Sequence, residues 1–298
     1  MNSLKILTLL LFGTLLQGCI YENNDDCPPK ECLVTLKFEY PDFPDHITRV
    51  NLGLFDEDGL FVKSIQVSKS ELDKFQGVIL SLQPGKYTSI CWANAFDHTL
   101  IKGFSAGMNI TEGQVANPNY ETAQPITSND SLFYGKKEFG VLNQQNQTYT
   151  VDFTPAYIRF VITIKGLSSL DQQNPDNYPY IRINNLKPSY NFNMDIMGSY
   201  VSYFPLITVN TAQKIAFSVS NVLRFATDNP ITIDILKNKT SPEVLTTLDL
   251  RQFMIENNIE IVAGKEVTIP LLFTFFNNDL DVSVSIDQWG EIPIEPEI

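Results

Sequence analysis

Metal-ligating and basic side chains are scarce in this chain of 298 residues. It has only two histidines, His46 and His98, and four cysteines. A metal centre gathers three or four such ligands at one point, so no metal is expected. Lysine and arginine number 21 against 34 aspartates and glutamates, a formal charge of −13. No basic patch is available to neutralise phosphates, which argues against nucleic acid as a partner and against docking on anionic headgroups through protein charge. Catalytic signatures are missing too. There is no G-x-S-x-G elbow, P-loop, H-E-x-x-H helix or dinucleotide-binding glycine fingerprint. His98 beside Asp97 imitates a base and its orienter, but no nucleophile stands near it, and a loop histidine is expected. No catalytic residue and no cofactor are assigned, and the chain is expected not to be an enzyme.

What the chain does have begins at its N-terminus. Lys5 precedes an apolar stretch, Ile6–Leu16, of eleven residues. Crossing a bilayer of about 30 Å takes roughly 20 helical residues, so the stretch reads as a signal peptide, residues 1–18. It ends at Leu16-Gln17-Gly18-Cys19, which resembles the bacterial lipobox. That resemblance implies cleavage before Cys19, a thioether-linked diacylglycerol on its sulfur and acylation of the new amine. Residues 19–32 then carry Glu22, Asp25, Asp26 and Glu31 with Pro28 and Pro29 and no apolar periodicity, as in a flexible acidic tether. An exported location permits disulfides. With Cys19 set aside, Cys27, Cys32 and Cys91 leave at most one pair. Cys27 and Cys32 could close a small loop, and the pairing among the three stays open.

The body of the chain reads as strands. Phenylalanine (20) and tyrosine (12) are plentiful, and apolar residues alternate with polar ones at a period of two. In LVTLKFEY, Val34, Leu36, Phe38 and Tyr40 share one face. VNLGLF and LFVKSIQV flank a turn at Asp56-Glu57-Asp58-Gly59, with glycine where positive φ is needed. Ser68 and Ser70 mark a short capped helical turn, followed by GVILSL, a Pro84-Gly85 turn and KYTSICWAN. Residues 96–146 are looser; Asp130-Ser131-Leu132 there fits a glycosylation acceptor pattern or an ordinary polar loop. QTYTVDF and AYIRFVITIKGL meet at Thr154-Pro155. ITIDILK, VLTTLDL, IEIVAG, VTIPLLFTFF and DVSVSID continue the strand style, and helices fit only Ser168–Gln173 and Leu250–Asn257. Pro155 cannot continue a central ladder, so a domain boundary is placed there. The reading is all-β, with sandwiches over 33–154 and 155–298. Trp92 and Trp289 are the aromatics that could stack on a sugar; both sit in alternating runs, where core packing is the expectation.

In order and spacing, the lipobox cysteine, the acidic spacer, VTLKFEY, LGLFDEDGLFV, PGKYTSICWAN, SLFYG, YIRFVITIKGL and the late Trp289 together resemble the FimB/Mfa-type fimbrial anchor lipoproteins of the Bacteroidales. The resemblance implies two tandem transthyretin-like β-sandwich domains. It implies a non-enzymatic outer-membrane lipoprotein, held by lipid on Cys19, exposed at the cell surface and sitting at the base of a fimbrium. It implies fimbrillin-type structural subunits as partners, joined by strand exchange. In this setting VSVSIDQWGEIPIEPEI is a candidate partner strand: Val282, Val284 and Ile286 point one way, and Pro293 and Pro296 stop the ladder. The same residues also fit the plain last strand of the second domain. A surface glycan-binding lipoprotein and a tip or stalk subunit of the same fibre are the alternatives.

Overall fold

The computed structural model describes residues 31–142, 146–171, 174–277, 279 and 281–286. The first half contributes β1 (Cys32–Glu39), β2 (Val50–Phe55), β3 (Phe61–Val67), β4 (Gly77–Leu82), β5 (Gly85–Ala93), β6 (Leu100–Lys102), β7 (Gln114–Ala116), β8 (Phe133–Val141) and β9 (Gln147–Pro155). Seven of these form one sheet in the order β3-β2-β5-β8-β9-β1-β4. Its turning point is β9. The body of β9 runs parallel to β1, from Val34↔Gln147 to Glu39↔Asp152, and its end pairs antiparallel with β8 at Phe133↔Pro155. The sheet therefore doubles over into two layers. Val34, Leu36 and Phe38 meet Leu52, Cys91 and Phe139 between them, the burial that the alternating pattern demands. At the first hairpin Asp56 Oδ1 accepts from the amides of Asp58 (3.0 Å) and Leu60 (2.9 Å), and Gly59 takes φ 76°. The acidic turn is thus held by its own side chain. Ser68 and Glu71 form a reciprocal capping box on the short helix Lys69–Leu72.

The second half contributes β10 (Tyr157–Lys165), β11 (Tyr180–Leu186), β12 (Ser189–Asn191), β13 (Ile196–Met197), β14 (Val201–Tyr203), β15 (Thr208–Asn210), β16 (Ile215–Leu223), β17 (Thr232–Leu236), β18 (Val244–Asp249), β19 (Thr268–Phe276) and β20 (Asp281–Ile286). A five-stranded sheet, β15-β16-β10-β19-β20, packs on a four-stranded one, β14-β11-β17-β18. Ile158, Phe160, Ile162 and Ile164 of β10 sit at the centre of the core between them. The helix Leu250–Glu256, capped by Asp249, adds Leu250, Phe253 and Met254 to it. The fold is all-β, two layered sandwiches in sequence.

The halves are stitched together as well as joined end to end. Only Ala156 separates β9 from β10. A small sheet, β13-β12-β7-β6, pairs strands from both halves, with Ser189↔Ala116 and Tyr190↔Val115 in register. Three expectations change. IEIVAG is a loop: Gly264 takes φ 73°, and the Arg224 guanidinium donates to the carbonyls of Val262 and of Lys265 (the latter 2.9 Å), groups that a strand would spend on a neighbour. The helix begun at Ser168 is a 3-10 turn, Ser168–Asp171. The loose stretch 96–146 holds β6, β7, β8 and the helix Pro118–Thr122.

Candidate functional site

The first candidate is the sheet edge at β20. This strand pairs antiparallel with β19 from Phe276↔Asp281 to Leu271↔Ile286. Val282, Val284 and Ile286 are half-buried and pack on the second core, while Asp281, Ser283 and Ser285 face solvent. Among the described residues no strand pairs with its other side. The exposed ladder has one charged side chain, Asp281, in six residues. Proteins usually blunt such an edge with charge, proline or a bulge, because its open N–H and C=O groups invite another strand. The arrangement can therefore accept a strand from outside by main-chain hydrogen bonding.

The second candidate is the seam between the halves. Trp92 of β5 is fully buried and stacks on Tyr190 of β12, ring centroids 5.7 Å apart at 23°. The Tyr190 hydroxyl donates to the Ala156 carbonyl (3.0 Å) and accepts from the Arg224 amide (2.7 Å), and burial pushes the phenol well above its ordinary range. On a neighbouring part of the seam Glu266 accepts from Tyr40 (3.2 Å) and Tyr157, and lies 2.6 Å from His46 Nδ1. Burial, then the Glu266 carboxylate, push Tyr40 up to about 12. Donors from both halves thus converge on one carboxylate in the loop ahead of β19.

Residues 24–295 match the family described as fimbrillin-A associated anchor proteins Mfa1 and Mfa2. The chain belongs to that family. The minor fimbrium anchoring subunit Mfa2 of Porphyromonas gingivalis is 24% identical over 287 residues, covering 91% of this chain and 86% of that protein. Two solved structures share the fold. The fimbrial anchor protein Mfa2 of Porphyromonas gingivalis superposes with TM-score 0.63 at 16% identity, over 87% of this chain and 98% of that one. A Bacteroides thetaiotaomicron protein provisionally assigned to polysaccharide binding gives 0.68 at 16% identity, over 87% and 97%.

Within this anchor-family fold the residues singled out from sequence scatter. Cys19, Cys27 and Trp289 lie outside the described residues. Cys32 opens β1 and is buried, and Cys91 is buried in β5, where loss of solvent pushes its thiol up. Trp92 cannot serve as an exposed sugar platform, since it is fully buried, with the rings of Tyr134 and Tyr190 packed against its own. His98 is exposed on a turn. Asp130 Oδ2 accepts from the Phe96 amide (2.8 Å) and the Thr99 hydroxyl (2.6 Å), and Ser131 Oγ accepts from Asn221 Nδ2 (3.1 Å). That short motif is therefore engaged in holding the loop and the second half. Sequence reasoning missed Tyr190, Arg224 and Glu266 as seam residues; no local pattern marks a side chain whose partners lie tens to hundreds of residues away.

Proposed function

We propose that this protein is a fimbrial anchoring subunit held in the outer membrane by acyl chains on Cys19, which couples to a fimbrillin through strand addition at an open sheet edge. The family match carries the reading, because it spans both sandwiches and includes β20. Each buried methylene of an acyl chain contributes about 0.8 kcal/mol, and stable anchoring takes two lipid signals, which a diacylglycerol plus an N-acyl group supply at one residue. The body then needs no membrane contact of its own. In this reading residues 1–18 are removed, 19–32 form the tether, and 33–154 and 155–298 act as two non-enzymatic modules. Val282, Val284 and Ile286 hold β20 on its own core and leave the opposite edge to the fimbrillin, whose strand gains main-chain hydrogen bonds there while its alternating side chains set the register.

The test uses the solvent-facing residues of β20. A Ser283→Lys, Ser285→Lys variant keeps the core-facing side chains and adds the charges that blunt an edge. The expected result is at least a tenfold loss of fimbrillin co-purifying from cell envelopes, with an unchanged Tm. Full recovery of fimbrillin with the charged edge would contradict strand addition at β20.

A further inference from the structure

A cavity of about 410 Å³ opens beside the seam. Met194, just after β12, and Ile196 of β13 give it one apolar wall. Phe225, just after β16, and Ile261, in the loop before β19, give it two more. Arg224, Tyr190 and Thr227 add polar groups to the lining. The Tyr190 hydroxyl is already engaged, donating to the Ala156 carbonyl and accepting from the Arg224 amide. That leaves the Thr227 hydroxyl and the Arg224 guanidinium to meet a ligand. The volume falls within the range of ligand sites, about 300–1,000 Å³.

Arg224 decides what that ligand is. Its guanidinium donates to the carbonyls of Lys265 (2.9 Å) and Val262, on the loop that carries Ile261 and Ala263 into the cavity wall. Its backbone amide is tied to the Tyr190 hydroxyl at 2.7 Å, so the residue is held at both ends. The planar fork has more N–H groups than those two carbonyls use. Among the described residues no carboxylate pairs with it, and no acidic side chain lines the cavity. Loss of solvent lowers its pKa from the ordinary value, as for a cation whose charge nothing nearby offsets. The titratable groups acting on it are the phenols of Tyr190 and Tyr40, both pushed upwards and so neutral at pH 7.

We propose that this cavity binds a small monocarboxylate with an apolar body, its carboxylate on Arg224 and its body against Met194, Ile196, Phe225 and Ile261. A carboxylate matches a guanidinium in charge and in planar geometry. A neutral apolar molecule would leave the half-buried cation unpaired and poorly solvated. A dianion such as phosphate would need more donors than one guanidinium and one hydroxyl supply. The guanidinium is fixed before the ligand arrives, so little side-chain freedom is lost on binding. The site uses no residue of β20, and the inference stands apart from fimbrial anchoring.

The experiment titrates 3-phenylpropionate into the purified full-length chain by calorimetry, with octanoate as a second carboxylate probe. Saturable binding is expected. 3-Phenylpropanol keeps the ring and replaces the charge by a hydroxyl. It is expected to bind more weakly than the acid by about tenfold or more, a comparison that needs no variant. Ala263 is exposed in the cavity wall, so Ala263→Trp fills the space without entering the core. It is expected to abolish binding with an unchanged Tm. Arg224→Gln is expected to weaken the carboxylate by about tenfold or more and to leave the alcohol as it was. The proposal is overturned if neither carboxylate binds, if the alcohol binds as tightly as the acid, or if Ala263→Trp binds the acid undiminished.

Discussion

Asp234 shows how much one side chain can organise in a sheet face. It lies in β17 with 4% of its surface exposed. Its Oδ2 accepts from Arg182 Nε (3.0 Å), Arg182 Nη2 (2.7 Å) and Asn184 (2.8 Å), and its Oδ1 from Thr247 (2.7 Å). Burial alone would raise the carboxyl; the hydrogen bonds from Thr247, Arg182 and Asn184 and the Arg182 charge outweigh it and hold the pKa below the ordinary carboxylate range. A folded-state pKa below the unfolded one stabilises the native chain above the unfolded value, near about 4, and that contribution is lost as pH falls through the folded value. Asp234→Asn is therefore expected to cost about 1–3 kcal/mol at pH 7, by leaving Arg182 short of its acceptor, and to lose part of the acid sensitivity. Urea unfolding at pH 7 and at pH 3 checks both; an equal drop in stability between the two pH values for parent and variant would contradict the assignment. In ITIDILK the strand was legible from Ile231, Ile233 and Ile235. The role of Asp234 was not, because Arg182 and Asn184 come from a stretch with little readable pattern.

Among the elements, strands were legible where one face is apolar without interruption. β1, β2, β10, β17 and β19 follow that rule, and their cores are the ones the alternation predicts. β16 breaks it: Ser218 and Ser220 are buried between Ala216 and Val222, so polarity no longer reports the face. β12 to β15 are two or three residues long, too short to show a period. IEIVAG alternates yet forms a loop, where Arg224 takes the carbonyls of Val262 and of Lys265 just after it. The small sheet across the seam had no signal at all, because β7 and β12 carry the pairing in three residues each. Its mechanical importance is testable through Trp92, which joins β5 to β12. Trp92→Ala removes a fully buried aromatic and is expected to cost about 3–5 kcal/mol, measured by denaturant unfolding. A cost below about 1 kcal/mol would mean that the stack on Tyr190 contributes little to joining the halves.

At the scale of the whole molecule, the described residues form two stitched sandwiches. Among the described residues no helix is long and apolar enough to cross a membrane. The family match covers residues 24–295 and so includes both sandwiches. The resemblance of Leu16–Cys19 to a lipobox is a local pattern that sequence alone can offer, whereas the open edge at β20 became visible only once the strand order was known. Glu266 and Asn221 bond across the seam, to Tyr40 and Ser131, and Tyr190 stacks on Trp92 there. The most direct measurement is the distribution of fimbriae between cells and medium in a strain carrying Cys19→Ala. The account predicts that intact fibres are shed into the medium. Fibres that remain cell-bound at the level of the unmodified strain would contradict it.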